Sequence, residues 1–234
     1  MFYCPDIQNS TILSEEESQH AVRVLRLQAG DAIELVDGVG GFYKAKITNP
    51  HPKHCEFEIL ETKMEFGKRD YKLHIAIAPT KNIERFEWFI EKCTEIGIDE
   101  ITPLLCRFSE RKIIKPDRLE KIIVSAAKQS LKAYFPKLNP LTSFKDFIKE
   151  TEASQKFIAH CYESEKNPLQ KLCKVESDTL ILIGPGGDFS QDEVELALSE
   201  QFQAVSLGNS RLRTETAGVV ACHTVVLIND LEHR

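Results

Sequence analysis

Ile183-Gly184-Pro185-Gly186-Gly187-Asp188-Phe189-Ser190 and Leu207-Gly208-Asn209-Ser210-Arg211-Leu212-Arg213-Thr214-Glu215-Thr216-Ala217 decide how this chain is read. Each stretch follows an apolar run with the length and β-branched content of a buried strand, and each leads into a helical pattern. Strand-to-helix turns of this kind build the ligand crevice of an α/β protein at the carboxyl ends of its strands. Glycines let the backbone approach a ligand closely. Arg211 and Arg213 add guanidinium groups where a phosphate or a developing charge could be met.

Working outward, the same alternation continues toward the N-terminus. Leu73–Ala78 reads as a buried strand, Asn82–Ile96 as a helix stopped by Gly97, and Glu100–Leu105 as a strand. Pro116–Ala133 reads as a helix with proline in its first turn, and Phe144–Lys149 as a short one. Strands are expected at Phe157–Cys161, Thr179–Ile183 and Ala204–Leu207, with helices at Gln191–Glu200 and Thr214–Leu231. This order predicts a mostly parallel sheet covered on both faces. Before residue 70 the pattern differs. Ser14 and Glu17 suggest a capping box opening a helix over 14–27, with Gly30 beyond its end. Asp31–Val36, Phe42–Thr48 and Cys55–Lys63 read as strands, the first two joined by a glycine-rich loop. The expectation is a small β-rich domain over 1–70, a polar linker at 67–70, and an α/β domain over 71–234.

The last helix carries a further signal. Ala217, Val220, Ala221, Thr224, Leu227, Ile228 and Leu231 fall on one face, while Val219, Cys222, Val225 and Val226 make much of the rest apolar. A helix apolar nearly all round is buried on two sides. One side would face its own sheet and the other a partner subunit.

Composition narrows the function classes. The chain has 234 residues, 42% hydrophobic and 28% charged, as expected of a soluble protein. No apolar run approaches the roughly 20 residues that span a bilayer. No signal peptide is visible at the N-terminus. Seven cysteines, an odd number with no Cys-x-x-Cys pair, argue against a zinc site or disulfide framework and for a reducing cytoplasm. A net charge of −6 argues against a nucleic-acid binder over its whole surface. Yet residues 107–137 hold nine Lys or Arg against three acids. That stretch is either a focused polyanion contact or a solvated helix face.

Other motifs are weaker. Gly184-Pro185-Gly186-Gly187 has neither P-loop nor Gly-x-Gly-x-x-Gly spacing, and could be a plain turn with Ser190 capping the next helix. Arg211 and Arg213 could pair with Glu215 or with surface acids. His20 fits a structural role. His51, His54, His74 and His160 form no metal-ligand spacing, so no metal is expected, and no Ser/His/Asp triad is readable.

Taken together, the two C-terminal motifs resemble the signature of the knotted (SPOUT) methyltransferases. More closely, they resemble the family that methylates uridine N3 in small-subunit ribosomal RNA. His20 through Gly30, Lys92-Cys93-Thr94-Glu95-Ile96-Gly97 with Pro103, and Gln129-Ser130 followed by Pro136 resemble it too. The resemblance implies an N-terminal PUA-like β-barrel that helps hold RNA, and a SPOUT-type C-terminal domain whose chain threads a trefoil knot. Generic chain-path rules would exclude that knot. It also implies a homodimer acting in the cytoplasm on 16S ribosomal RNA of the small subunit, with S-adenosylmethionine as cofactor.

By motif match, Ile183, Gly184, Gly186, Gly187, Leu207, Gly208, Leu212, Arg213 and Thr214 would form the cofactor pocket. Arg23, Arg26, Arg111, Lys112 and Lys132 are the expected RNA contacts. Where the family pattern has Glu in its first motif this chain has Gly186, and Asp188 stands where it has Gly. Lys128 and Lys132 stand where the family has Glu and Arg. Uridine N3 carries a proton at neutral pH and must lose it before attacking a methyl group. Arg213 is the expected stabiliser of the resulting charge, and Asp188 and Glu215 the candidate proton acceptors. The alternatives are a knotted methyltransferase acting on transfer RNA or the large subunit, and a non-catalytic RNA-binding assembly factor. Cofactor binding separates the last from the others.

Overall fold

The computed structural model describes residues 1–232. Their contacts divide the chain into two compact units: residues 1–68 with 124–135, and residues 69–123 with 136 onward. The first crossing between the units falls between residues 68 and 69. The segment 124–135, which the sequence pattern assigns to the second domain, groups with the first unit. Hydrogen bonds explain the difference: Gly40 N–H donates to the Ala133 carbonyl and Phe135 N–H to the Gly38 carbonyl. Lys128 also pairs with Glu17.

In the first unit, β1 (Phe2–Tyr3), β2 (Ala32–Val36), β3 (Phe42–Asn49) and β4 (Glu56–Lys63) form a sheet in that order. β1 lies parallel to β2, and the other pairs are antiparallel. Leu35, Tyr43, Ile47 and Phe57 alternate inward and meet Phe2, Leu13 and Ala21 in one core. The helix expected over 14–27 is shorter. α1 (Glu15–Gln19) runs into a π-helical turn at His20–Val24, and Arg26 takes a left-handed φ of 57° that stops it before Gly30. Ser14 caps α1 by accepting Glu17 N–H. The reciprocal half of a capping box is not made, because the Glu17 carboxylate accepts from Tyr3 N–H and pairs with Lys128.

In the second unit, β5 (Leu73–Ile77), β6 (Glu100–Leu105), β7 (Lys137–Leu138), β8 (Thr142–Ser143), β9 (Gln155–Ala159), β10 (Asn167–Pro168), β11 (Thr179–Ile183) and β12 (Gln203–Ser206) make one sheet. The order is β10-β12-β9-β11-β5-β6-β7, with β8 also on β6, and every recorded pair is parallel. All five residues of β11 are buried, as a strand covered on both faces requires. The helices are α2 (Ile83–Ile96), α3 (Pro116–Gln129, whose residues from 124 on belong to the first unit), α4 (Phe144–Glu150), α5 (Leu169–Leu172), α6 (Gln191–Ser199) and α7 (Thr214–Glu232). α2 begins on an Asn82 cap and ends at Gly97, whose φ is 126°. α3 stops at Gln129 rather than Ala133, since Leu131 turns left-handed. β9 starts two residues earlier than its apolar run suggests. Its first residue, Gln155, is polar but buried, donating to Thr179 Oγ1 and accepting from Lys174 N–H.

α7 follows β12, which lies between β10 and β9, and packs back on α2, β5 and β11. This return to the middle of the sheet is the path the trefoil-knot architecture requires. Its buried residues after the first turn are Gly218, Ala221, Cys222, Val225, Val226 and Asn229. Of the apolar face expected from the sequence, Ala221 is buried, Ala217, Val220, Thr224 and Ile228 are half-buried, and Leu227 and Leu231 are exposed. Gly218 sets this orientation. A Cβ there would stand 2.5 Å from the Phe89 ring and 2.9 Å from Ile77 Cδ1. On β5, the His74 ring lies edge-on to Phe147 and its Nε2 meets Thr102 Oγ1 at 2.8 Å. Asn139 donates to Thr102 and Glu100 beside it.

Candidate active site

Two glycine-led turns leave the carboxyl ends of β11 and β12, as their sequences require. Pro185 and Asp188 close the first turn through an Asp188 N–H to Pro185 C=O bond of 2.9 Å. Asp188 itself has φ 70°. Its carboxylate accepts from Cys161 N–H at 2.6 Å and Phe189 N–H at 2.8 Å. Both oxygens thus hold backbone, fastening the turn to the end of β9. Ser190 and Glu193 then make a complete capping box that starts α6. Thr214 Oγ1 donates to the Gly184 carbonyl at 3.0 Å and ties the second turn to the first.

These turns wall two adjoining hollows within the second unit. The first, about 550 Å³, is lined by Ile183, Gly184, Gly186, Arg213, Thr214 and Glu215 on one side. Thr80, Lys81, Arg85, Phe108 and Glu110 line the other. The second, about 590 Å³, is lined by Gly187, Val205, Leu207, Gly208, Tyr162 and Lys166. Ala159, Cys161, Asp188, Arg211, Leu212 and Ala217 border both. Every residue expected at the cofactor pocket, and all three candidate catalytic residues, therefore line this double cleft.

Their local roles differ. Gly208 has φ 128° and a Cβ there would enter open cleft, with nothing within 4 Å. Gly184 is needed for packing instead, because its Cβ would press on Phe189 at 3.0 Å from the backbone nitrogen. Glu215 is buried, with its Oε1 3.8 Å from Arg85 Nε. Arg211 and Arg213 therefore do not pair with Glu215, and neither has a carboxylate partner among the described residues. Burial, and then the Asp188 carboxylate, pushes the Cys161 thiol up, so it stays protonated. Burial, with Lys166 next, lowers the His160 imidazole and keeps it neutral at physiological pH.

The expected RNA contacts are divided between the two units. Arg23, Arg26 and Lys132 belong to the first unit, and Arg111 and Lys112 to the second. Arg111 donates to the carbonyls of Thr80 and Lys81 at 3.0 and 2.6 Å, so its guanidinium braces the rim of the first hollow. Within the basic stretch, Arg107, Arg118, Lys128 and Lys137 pair with Asp192, Glu87, Glu17 and Glu100. Lys112, Lys115 and Lys121 carry no ion pair among the described residues.

Sequence reasoning missed Thr80, Lys81, Arg85, Phe108 and Glu110. The signal for the first three was present. Ala78 to Asn82 is a third strand-to-helix turn, with Lys81, a capping Asn82 and Arg85 in the first turn of the helix, and it resembles the two that were read.

The pattern of an RNA methyltransferase domain matches residues 68–226, and that of an RNA methyltransferase PUA domain matches residues 13–60. Ribosomal RNA small subunit methyltransferase E of Synechocystis is 30% identical over 224 residues, covering 92% of this chain and 72% of its own. A crystal structure from Porphyromonas gingivalis, described as a probable rRNA-methyltransferase, is 44% identical. It covers 99% of this chain and 98% of its own, with a TM-score of 0.94. A methyltransferase from Legionella pneumophila, solved with the cofactor SAM, is 29% identical with a TM-score of 0.82, covering 92% and 90%. A PUA domain, a parallel sheet with its cleft at the strand ends, and these matches along nearly the whole length together place the chain: it belongs to the RNA methyltransferase family.

Proposed function

We propose that this protein transfers a methyl group from S-adenosylmethionine to N3 of a uridine in 16S ribosomal RNA of the small subunit. One observation carries the reading. A single double cleft holds an open backbone cradle at Gly208 beside an unpaired arginine, Arg213, and a buried carboxylate, Glu215. The named relatives support the substrate class.

The residues present fit the cofactor. The second hollow offers Leu207, Leu212, Val205 and Ala159 as apolar walls and free space over Gly208. These residues would hold S-adenosylmethionine. When bound, S-adenosylmethionine supplies an electrophilic sulfonium methyl. The first hollow concentrates the charged groups and receives the base. Glu215 accepts the N3 proton, with Arg85 holding its carboxylate in place. Asp188, the other candidate acceptor, is committed to two backbone donors and positions the turn. Arg213 meets the charge that spreads onto the uracil carbonyl oxygens once N3 is deprotonated. The remaining task is to hold N3 and the methyl in line.

The PUA unit, with Arg23, Arg26 and Lys132, and the unpaired lysines 112, 115 and 121 grip RNA phosphates. The protein acts as a homodimer through the outward apolar edge of α7, in a reducing cytoplasm suited to its free cysteines. Calorimetry with S-adenosylmethionine, followed by mass spectrometry of 16S ribosomal RNA from a strain lacking the gene, tests the proposal. Binding together with loss of one N3-methyluridine is the expected result. An unchanged RNA mass would overturn the substrate assignment.

A further inference from the structure

Phe108 is the one exposed phenylalanine among the thirteen in the chain, at 47%. An exposed phenyl ring on a wandering loop would mean little. This one is held in place on both sides. Arg107 N–H donates to Glu193 Oε1 at 2.8 Å. Glu193 is the buried carboxylate whose other oxygen completes the α6 capping box. On the other side, Ser109 is buried, its Oγ accepting from Cys106 N–H at 2.9 Å and its own N–H donating to the Cys106 carbonyl. Arg111 then anchors the following residues to the carbonyls of Thr80 and Lys81. The backbone around Phe108 is therefore fixed, and its ring is left uncovered.

The ring has a definite outlook. Phe108 is the only aromatic residue lining the first hollow, and it does not line the second. Gly187 lies beside its base: a Cβ on Gly187 would meet Phe108 Cβ at 3.5 Å, while a Cβ on Gly186, which lines the same hollow, would meet nothing within 4 Å, so neither position crowds the hollow. The charged groups of the same hollow, Arg213 and Glu215, supply hydrogen-bonding chemistry, and Phe108 supplies the aromatic face.

Uridine N3 lies on the base-pairing edge, so a base methylated there must leave its stack and its partner. A base taken out of the stack regains stacking on an aromatic side chain. We infer that Phe108 is the platform on which the target uracil stacks, presenting N3 toward Glu215 and the carbonyl oxygens toward Arg213. The inference rests on the methyl-transfer reading of this cleft and adds a substrate-contact residue to it.

The test is steady-state methylation of small ribosomal subunits from a strain lacking the gene, with calorimetry of S-adenosylmethionine on each variant. Phe108→Ala should lower kcat/KM about 10- to 100-fold, the size of one lost base–aromatic stack. The loss should fall mainly on kcat, because RNA is still gripped elsewhere, and cofactor affinity should stay at the wild-type value. Phe108→Tyr and Phe108→Trp should restore most of the rate. Phe108→Leu, which keeps apolar volume but no flat face, should not. A wild-type rate for Phe108→Ala or Phe108→Leu would overturn the inference. So would a fall in cofactor affinity that matched the fall in rate. If wild-type protein leaves the subunits unmethylated, the methyl-transfer reading itself fails, and the role of Phe108 falls with it.

Discussion

Arg213 reaches the cleft at the start of α7 with no carboxylate to neutralise it among the described residues, so its full charge is available to a substrate. If it stabilises charge on the uracil oxygens, Arg213→Ala should cost on the order of 100-fold in single-turnover rate, as for one oxyanion-type donor. Arg213→Lys should recover only part, since an ammonium lacks the planar fork. Full activity in Arg213→Ala would remove this residue from the chemistry. Arg211 borders both hollows without a carboxylate partner, which weakens the reading of it as a bystander in a surface pair. Gly208 tests the cofactor half alone. Gly208→Val would put a branched side chain into the cleft at φ 128°, a conformation such residues rarely adopt. S-adenosylmethionine affinity should drop at least tenfold by calorimetry, while the backbone strain lowers the unfolding midpoint without preventing folding.

At the scale of elements, the parts with local signals were legible in the sequence. α2 shows its Asn82 cap and Gly97 stop, α6 its Ser190–Glu193 box, and β5 and β11 their buried apolar runs. The two-residue strands β1, β7, β8 and β10 were not, because so short a pairing leaves no period to detect. Which side of α7 faces the sheet was not legible, for a physical reason. Its inward side uses a glycine for close approach to Phe89, and a polar Asn229 that accepts from Glu176 N–H. A rule that sends the largest apolar side chains inward passes over both. What remains outside includes Leu227 and Leu231, 44% and 62% exposed. If that edge joins two copies, Leu227→Glu should convert a dimer to a folded monomer in light scattering with retained circular dichroism, because an unpaired charge in an apolar contact is costly. A monomeric wild-type mass would dispose of the idea.

For the whole molecule, the pH dependence of stability should show the buried polar cluster on β5. Burial, assisted by Lys137 and opposed by Glu100, lowers His74 from 6.5 to about 4. The unfolded chain therefore binds a proton that the folded chain refuses between those values, and stability falls as pH drops from 6.5 to 4. The loss attributable to His74 should be about 3 kcal/mol at most, at 1.36 kcal/mol for each pH unit. Glu100, held low despite burial by Asn139, His74 and Lys137, adds to the loss in the same direction at the acid end. Urea midpoints at pH 7 and pH 4.5 would measure it, and His74→Gln should flatten the slope. A wild-type midpoint unchanged between those pH values would contradict the assignment. None of this was readable from spacing, since His74 looks like any lone histidine until Thr102 and Asn139 are folded against it.

The position of β11 between β9 and β5 has a consequence for how the chain comes into being. β5 is made early, yet one of its two neighbours lies 106 residues later, at Thr179. At about 5–20 residues per second, a ribosome needs about 5–20 s to deliver that neighbour. During this interval β5 has an open edge of unpaired backbone in an apolar strand, the kind of surface that recruits other chains. α7 arrives later still and closes the cleft by setting Thr214 against Gly184. The nascent protein thus remains sticky and inert until α7 has been made, and expression under slow elongation or in a crowded cell should favour clumping over a half-active intermediate.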